Sequence, residues 1–507
     1  MKHLILSICG ILLISTLGFA QKSAGDLYNK GLVHEELGEF DMALSSYQQA
    51  AAKRARLKDV QYKIELLELA DGKDRERDMD EIIDMRSQAE GVDPFFQLHL
   101  GRVYDARWEF QKALNTWDGY LNSAYDLSSS QVEVVQKLMV QTKRKIAAFN
   151  KPDDYEIQQL KAPINSPYAE LSPTYFEAKH ELLFASNRGS SDDADYYIYH
   201  AEGDEGTWAE PSRLGILGVF ERNNANIEVV DEDGKLFMFN NNKGGDLFYS
   251  ETRNGNWLLP VEFDSKISNT HLESHFFINE HEDRIIFASD KENKDKGLDL
   301  YQSFKDPKTG NWTKPRPFAE VINSDMDEDS PYLTHDEHTL YFSSDGHGSI
   351  GGYDIFKSEL DSITLTWSEP VNMGFPINSP DDEIHFKINA GGKSGYFSSN
   401  RLHSMGDFDI YFYFEIKKVK IEGKVFDKEA KQRLSDVEVI FTPSSYEEEK
   451  FRSTTDTRGY YSAEIISTET YHIEIKRGEE LLYEDRLQIT KDFGEVSSLL
   501  IKDFILN

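Results

Sequence analysis

The pattern of hydrophobic and polar positions along this chain changes period twice. From residue 24 to 149 apolar residues recur at helical spacing, with few β-branched residues among them. From 153 to 416 the apolar stretches are short, aromatic and β-branched. Turn residues such as Asp233-Gly234, Asp336-Glu337 and Gly391-Gly392 separate them, which predicts strands joined by hairpins. After Tyr413 the segments Ile421 to Asp427, Val437 to Phe441 and Tyr471 to Ile475 alternate as half-buried strands do, with a turn at Asp456 to Gly459.

The middle region repeats. A Trp-x-x-Pro motif begins at Trp208, Trp257, Trp312 and Trp367. Upstream of each stands an Asp before two apolar residues, at Asp195, Asp246, Asp299 and Asp354, and a fifth copy at Asp409 has no Trp after it. The period is roughly 50 to 55 residues, repeated five times, which is the length of a four-stranded propeller blade. A blade cannot bury its faces alone, so five such units predict a five-bladed β-propeller. The segment Ile157 to Ser166 aligns with Pro370 to Ser379, including Ile164-Asn165-Ser166 against Ile377-Asn378-Ser379. The stretch before the first unit is therefore expected to supply the last strand of the fifth and close the ring.

Each unit also pairs a residue that opens its first strand with one that closes its second. The pairs are Glu170 with Arg188, Asn224 with Asn242, Glu273 with Lys291, Glu328 with Gly346, and Glu383 with Arg401. Hairpin symmetry places the two members near each other at one end of the blade. They are expected to be structural pairs with water nearby, each contributing about 0 to 1 kcal/mol.

In the helical part, Leu27, Gly31, Gly38, Phe40, Ala43, Tyr47 and Ala50 fall at tetratricopeptide spacing. So do Leu100, Gly101, Tyr104, Trp108, Phe110, Ala113, Trp117 and Tyr120. Room remains between them for a degenerate copy, with helices near 58 to 70 and 75 to 90, and a helix over 131 to 149 is expected to cap the stack. The fold class is thus a multidomain α plus all-β chain. Its parts are a signal peptide (1–20), a helical tetratricopeptide array (21–150), a five-bladed β-propeller (151–416) and a small β-sandwich (417–507).

Composition narrows the function. Lys2, an apolar run from Leu4 to Leu17 and Gly18-Phe19-Ala20 before Gln21 have the form of a secretory signal. Cys9 is the single cysteine and lies inside that signal, so disulfides and a cysteine nucleophile are excluded for the exported protein. A formal net charge of −34 argues against nucleic acid and anionic membrane as partners. No other apolar stretch approaches the length of a transmembrane helix.

The propeller units, with Ser172-Pro173, Ser330-Pro331 and Trp367-Ser368-Glu369-Pro370, resemble TolB-like repeats. The segments Ile421-x-Gly423-x-Val425-x-Asp427 and Asp456-x-x-Gly459-x-Tyr461 resemble the carboxypeptidase regulatory-like domain. Tetratricopeptide repeats, then this propeller, then this sandwich is similar to the order in the PorE family of the Bacteroidetes type IX secretion system. That family continues into an OmpA-like domain whose helix motif this chain lacks, so peptidoglycan binding is not implied here. The resemblance implies a periplasmic, outer-membrane-associated protein whose partners are envelope proteins.

Catalytic chemistry finds no foothold in the motifs. There is no GxSxG elbow, P-loop, dinucleotide fingerprint or HExxH, and Ser349 in Gly348 to Gly352 lacks the nucleophile pattern. His335 and His338 have the spacing of some metal pairs but occupy a hairpin turn. Asp325 to Asp329 looks like the start of a calcium loop, yet Ser330 stands where such loops need Gly. No catalytic, cofactor or metal site is therefore expected. The concave face of the helical array is expected to bind partner protein through Asn29, Glu36, Gln97 and Arg102, polar positions that the packing pattern does not demand. The chain then reads as a non-catalytic exported scaffold or adaptor, with a solute- or glycan-sensing propeller as the alternative.

Overall fold

The computed structural model describes residues 23–53, 58–75, 77–85, 93, 95–123, 126–189, 196–204, 207–215, 227–229, 235–240, 246–253, 256–263, 273–290, 297–416, 418–444, 450–467, 470–489 and 499–506. The signal segment, Cys9, Asn224, Asn242, Asp195 and Lys291 lie outside them. The chain divides into two compact units, with the boundary at Ala147.

Among its described residues the first unit holds seven helices: α1 (Ala24–Leu37), α2 (Phe40–Lys53), α3 (Lys58–Ala70), α4 (Met79–Asp84), α5 (Phe96–Ala106), α6 (Phe110–Leu121) and α7 (Ser129–Phe149). Ser23 starts α1 through a capping box with Asp26, which satisfies two of the amides that a helix N-terminus leaves without partners. α1 and α2 pack closely because Gly31 has no side chain: a Cβ there would stand 2.4 Å from the Tyr47 ring. The same device recurs between α5 and α6, where a Cβ on Gly101 would lie 2.2 Å from Trp117 Nε1, whose N–H donates to the Leu98 carbonyl. These two glycine and aromatic pairs are what the helical spacing anticipated. Between them stand α3 and the short α4, where helices near 58 to 70 and 75 to 90 were expected.

Among its described residues the second unit contains five antiparallel sheets of the repeating type. In the first, Glu170–Phe176, Glu181–Ser186, Tyr197–Asp204 and Ser212–Arg213 are paired in order. The second comprises Ile227–Val229, Leu236–Asn240, Asp246–Ser250 and Val261–Glu262. The third comprises Glu273–Ile278, Arg284–Ser289, Asp299–Phe304 and Arg316–Pro317. The fourth is built from Glu328–Leu333, Thr339–Ser344, Asp354–Glu359 and Val371–Asn372.

The fifth takes three strands from its own repeat, Glu383–Ile388, Ser394–Ser399 and Asp409–Glu415, and a fourth, Tyr155–Gln159, from before the first sheet. That strand runs antiparallel to the third, with Tyr155 opposite Glu415 and Gln159 opposite Tyr411.

Separate cores lie between consecutive sheets. Leu183 and Leu236 join the first to the second, Phe237 and Phe276 the second to the third, and Phe277 and Leu340 the third to the fourth. Ile355 and Phe397 join the fourth to the fifth, and Phe184 and Phe412 bring the fifth back to the first. A closed ring of five sheets is the arrangement of a β-propeller, in which faces too small to form a core alone bury one another.

Beyond residue 417 two further sheets share a single core. Val419 and Ile421 from Lys418–Asp427 meet Val439 and Phe441 from Glu438–Pro443 and Ile473 from Thr470–Arg477. Their alternating burial follows the alternating sequence, as it must when one face of each strand is covered.

Candidate functional site

The repeated polar positions form clamps between neighbouring sheets. Glu383 opens the first strand of the fifth sheet and is fully buried. Its carboxylate accepts from the Ser379 amide at 2.6 Å, the Ser379 and Ser399 hydroxyls at 2.7 Å each, and Arg401 Nη2 at 2.9 Å. Arg401 also donates to the carbonyls of Pro376 (3.0 Å) and Ile377 (2.6 Å). Glu170 repeats the arrangement with Ser166, Ser186 and Arg188, the last at 2.8 Å.

Beside each Ser stands an Asn that hooks the preceding sheet. Asn378 both donates to and accepts from the backbone of Ile355, Asn323 does so with Leu300, and Asn165 with Ile410. The fourth sheet keeps Glu328 with Ser324 and Ser344, but Gly346 supplies no base, and His347 Nε2 stands 3.5 Å from the carboxylate. The pairing expected from hairpin symmetry is present in the first and fifth sheets. The expected solvation is not, because Glu170 and Glu383 are buried. The side chain of Glu273, and both members of the Asn pair, lie outside the described residues.

The Asp of the repeated apolar triplet shares this environment. Asp354 accepts from the amides of Ile350 (2.6 Å) and Gly351 (3.2 Å) and from Asn372 Nδ2 (2.6 Å). Burial, and next the charge of Glu383, push its pKa up to about 7. An unfolded Asp titrates near 4, so between about pH 4 and pH 7 the folded state holds the extra proton and stability falls as pH rises. The urea midpoint of the protein should therefore drop from about pH 5 to pH 8 more steeply than that of Asp354→Asn. Equal slopes in the two proteins would show that this carboxyl titrates normally.

In the helical unit the four residues chosen from sequence separate. Asn29 is exposed on α1, while Glu36 and Gln97 are half-buried. Arg102 is held inside the unit: its guanidinium pairs with Asp71 and lies 3.8 Å from the Phe40 ring centroid. Asn29 shares a stripe of α1 with Val33 and Leu37, at successive intervals of four. Those two apolar side chains are 54% and 51% exposed.

The neighbour of Glu36, Glu35, is the residue that sequence reasoning missed. It is buried, accepts from Tyr47 Oη at 2.5 Å and Lys63 Nζ at 3.1 Å, and stands 2.8 Å from His99 Nε2. Lys63 continues to Asp93 at 2.9 Å. Burial alone would raise the Glu35 pKa, but Lys63 and the hydrogen bonds from His99 and Tyr47 hold it down to about 2. The network ties α1, α3 and α5 together. A polar residue at a helix position four beyond Gly31 was its only sequence signal.

The two loops weighed as metal sites are occupied by protein contacts. His338 directs Nδ1 to the Asp336 carbonyl and Nε2 to Ser362, whereas His335 pairs with Glu280 at 3.0 Å. Asp327 accepts from the Leu298 amide and Tyr353 Oη, and Asp329 from the Ser330 amide and His275. Among the described residues no three His, Cys, Asp or Glu side chains are grouped to hold a metal ion, and no helix is long and apolar enough to cross a membrane.

No protein-family model matches the chain, and no curated protein is similar to it in sequence. Solved structures are similar at low levels. An endo-arabinase from Bacteroides thetaiotaomicron has 13% identity and a TM-score of 0.35, over 51% of this chain and 96% of that one. Sucrose-6-phosphate hydrolase from Lactobacillus gasseri has 11% identity and a TM-score of 0.38, over 70% of this chain and 91% of that one. An exo-β-1,3-galactanase from Clostridium thermocellum has 11% identity and a TM-score of 0.36, over 67% and 87%. At such TM-scores these likenesses carry no argument about activity.

Proposed function

We propose that the chain is a non-catalytic exported scaffold or adaptor. It joins protein partners of a periplasmic or outer-membrane assembly, in type IX secretion or envelope organisation. The exposed stripe of Asn29, Val33 and Leu37 on α1, with Glu36 beside it, carries this reading. Aliphatic side chains aligned on one helix face and left in water are what a partner helix or extended peptide covers. The fold supports it too, because a tetratricopeptide-like stack and a propeller offer separate surfaces on one chain. Two modest sites joined in this way raise avidity by about 10² to 10⁴ when both can engage.

Full-length protein carrying Val33→Asp and Leu37→Asp tests the proposal by co-purification from native envelopes. Recovery of partner proteins should fall by about tenfold or more, the loss expected when apolar anchors are removed, with the helical circular-dichroism signal and melting curve unchanged. Undiminished recovery overturns the role of this stripe. Absence of protein partners with saturable binding of a soluble glycan would replace the scaffold by the sensing alternative.

A further inference from the structure

The third residue of the first strand in four sheets is Ser172, His275, Ser330 and His385. At each of these strands the ladder to the second strand shifts register beside that residue. Ser172, Ser330 and His385 adopt the left-handed conformation, with φ of 55°, 48° and 57°. Such a bulge re-aims a side chain that would otherwise stack within its own sheet. The consequence is a meeting of three sheets. The ring of His275, from the third, lies 4.4 Å from that of His385, from the fifth, at an interplanar angle of 76°. Asp329 from the fourth sheet stands 2.7 Å from His275 Nδ1.

The geometry points to a binding site for a divalent transition-metal ion, with imidazole nitrogens of His275 and His385 as its protein ligands and Asp329 orienting His275. His385 is 4% exposed and neither of its ring nitrogens has a hydrogen-bond partner. Buried polar atoms ordinarily find partners, so this imidazole is under-satisfied by the protein alone. Burial, and next the nearby His275 and Lys387, push its pKa well below the ordinary range, so the ring is neutral and offers a lone pair.

The carboxylate of Asp329 accepts a hydrogen bond from His275 Nδ1 and so leaves Nε2 as the free lone pair, the orientation that carboxylates impose on metal-binding histidines. His275 keeps 17% side-chain exposure, which provides an entry route. Imidazole nitrogens favour zinc, copper, nickel or cobalt over calcium or magnesium, which prefer oxygen. Two protein nitrogens leave the remaining positions to water.

Tag-free, chelator-stripped full-length protein should bind one zinc ion per chain by calorimetry. Its melting temperature should rise by about 3 to 5 °C at saturation, because the ion binds only the folded state. His385→Gln should abolish both effects, whereas His335→Ala, which removes the exposed pairing with Glu280, should leave them intact. Pulsed electron paramagnetic resonance of the copper(II) adduct of the unaltered chain counts coordinated imidazoles without relying on a variant's folding, and two are expected. Absence of binding overturns the inference. So does binding that survives His385→Gln, binding that is lost in His335→Ala, or a copper spectrum with fewer than two imidazoles.

Discussion

Deleting residues 153–160 should lower the stability of the ring by about 5 kcal/mol or more, or leave the protein aggregated. This stretch supplies the outermost strand of the fifth sheet, and five residues from Tyr155 to Gln159 pair with residues 411 to 415. Without it the backbone groups of Asp409–Glu415 become an open edge, the kind of template that recruits other chains. Apolar burial is lost as well. Leu160 sits in the core between the fifth and first sheets, and Tyr155 and Ile157 pack on the core between the fourth and fifth. Full burial of such a side chain contributes about 1.5 to 3 kcal/mol, so buried Leu160, partly buried Tyr155 and Ile157, and the lost ladder hydrogen bonds together account for the expected loss. Thermal and urea unfolding of the deleted and intact proteins would measure it. A deletion that leaves the midpoint unchanged and the protein monomeric would mean that the ring does not depend on this strand.

Replacing Arg401 by Ala should cost about 3 to 5 kcal/mol, because it strands the buried charge of Glu383 and removes the donors to the Pro376 and Ile377 carbonyls. The double substitution Glu383→Gln with Arg401→Met should be much less damaging, since it removes both charges together and keeps similar volume. Urea midpoints of the two variants separate the cases. A loss below about 1 kcal/mol for Arg401→Ala would mean that water reaches the pair, as its sequence position alone suggested. The corresponding loss for Arg188→Ala should be smaller, because Arg188 retains more contact with solvent than Arg401.

Local periodicity determined most of the architecture of this protein. The Trp-x-x-Pro and Asp-apolar-apolar repeats encode the sheets because a strand's side chains alternate, and the same packing problem recurs in every blade. The alignment of Ile164-Asn165-Ser166 with Ile377-Asn378-Ser379 located the closing segment, since equivalent blades need equivalent strands. Gly31 and Gly101 were legible because a helix crossing at close range tolerates no Cβ. Pairing of Glu170 with Arg188 and of Glu383 with Arg401 was also visible, being a matter of hairpin register.

Tertiary structure decided burial and long-range partnership, which no local pattern encodes. Sequence spacing cannot tell whether water reaches Glu383, because its shielding comes from Ser379, Ser399 and Arg401 across two strands and a loop. It cannot choose between Glu35 and Glu36. Helix rotation alone turns one into the junction of α1, α3 and α5 and leaves the other half-buried. Arg102 looked unclaimed until folding set Asp71 and Phe40 beside it. His275, Asp329 and His385 lie in three different sheets, 54 residues or more apart along the chain between nearest members, and only closure of the ring brings their side chains to one place.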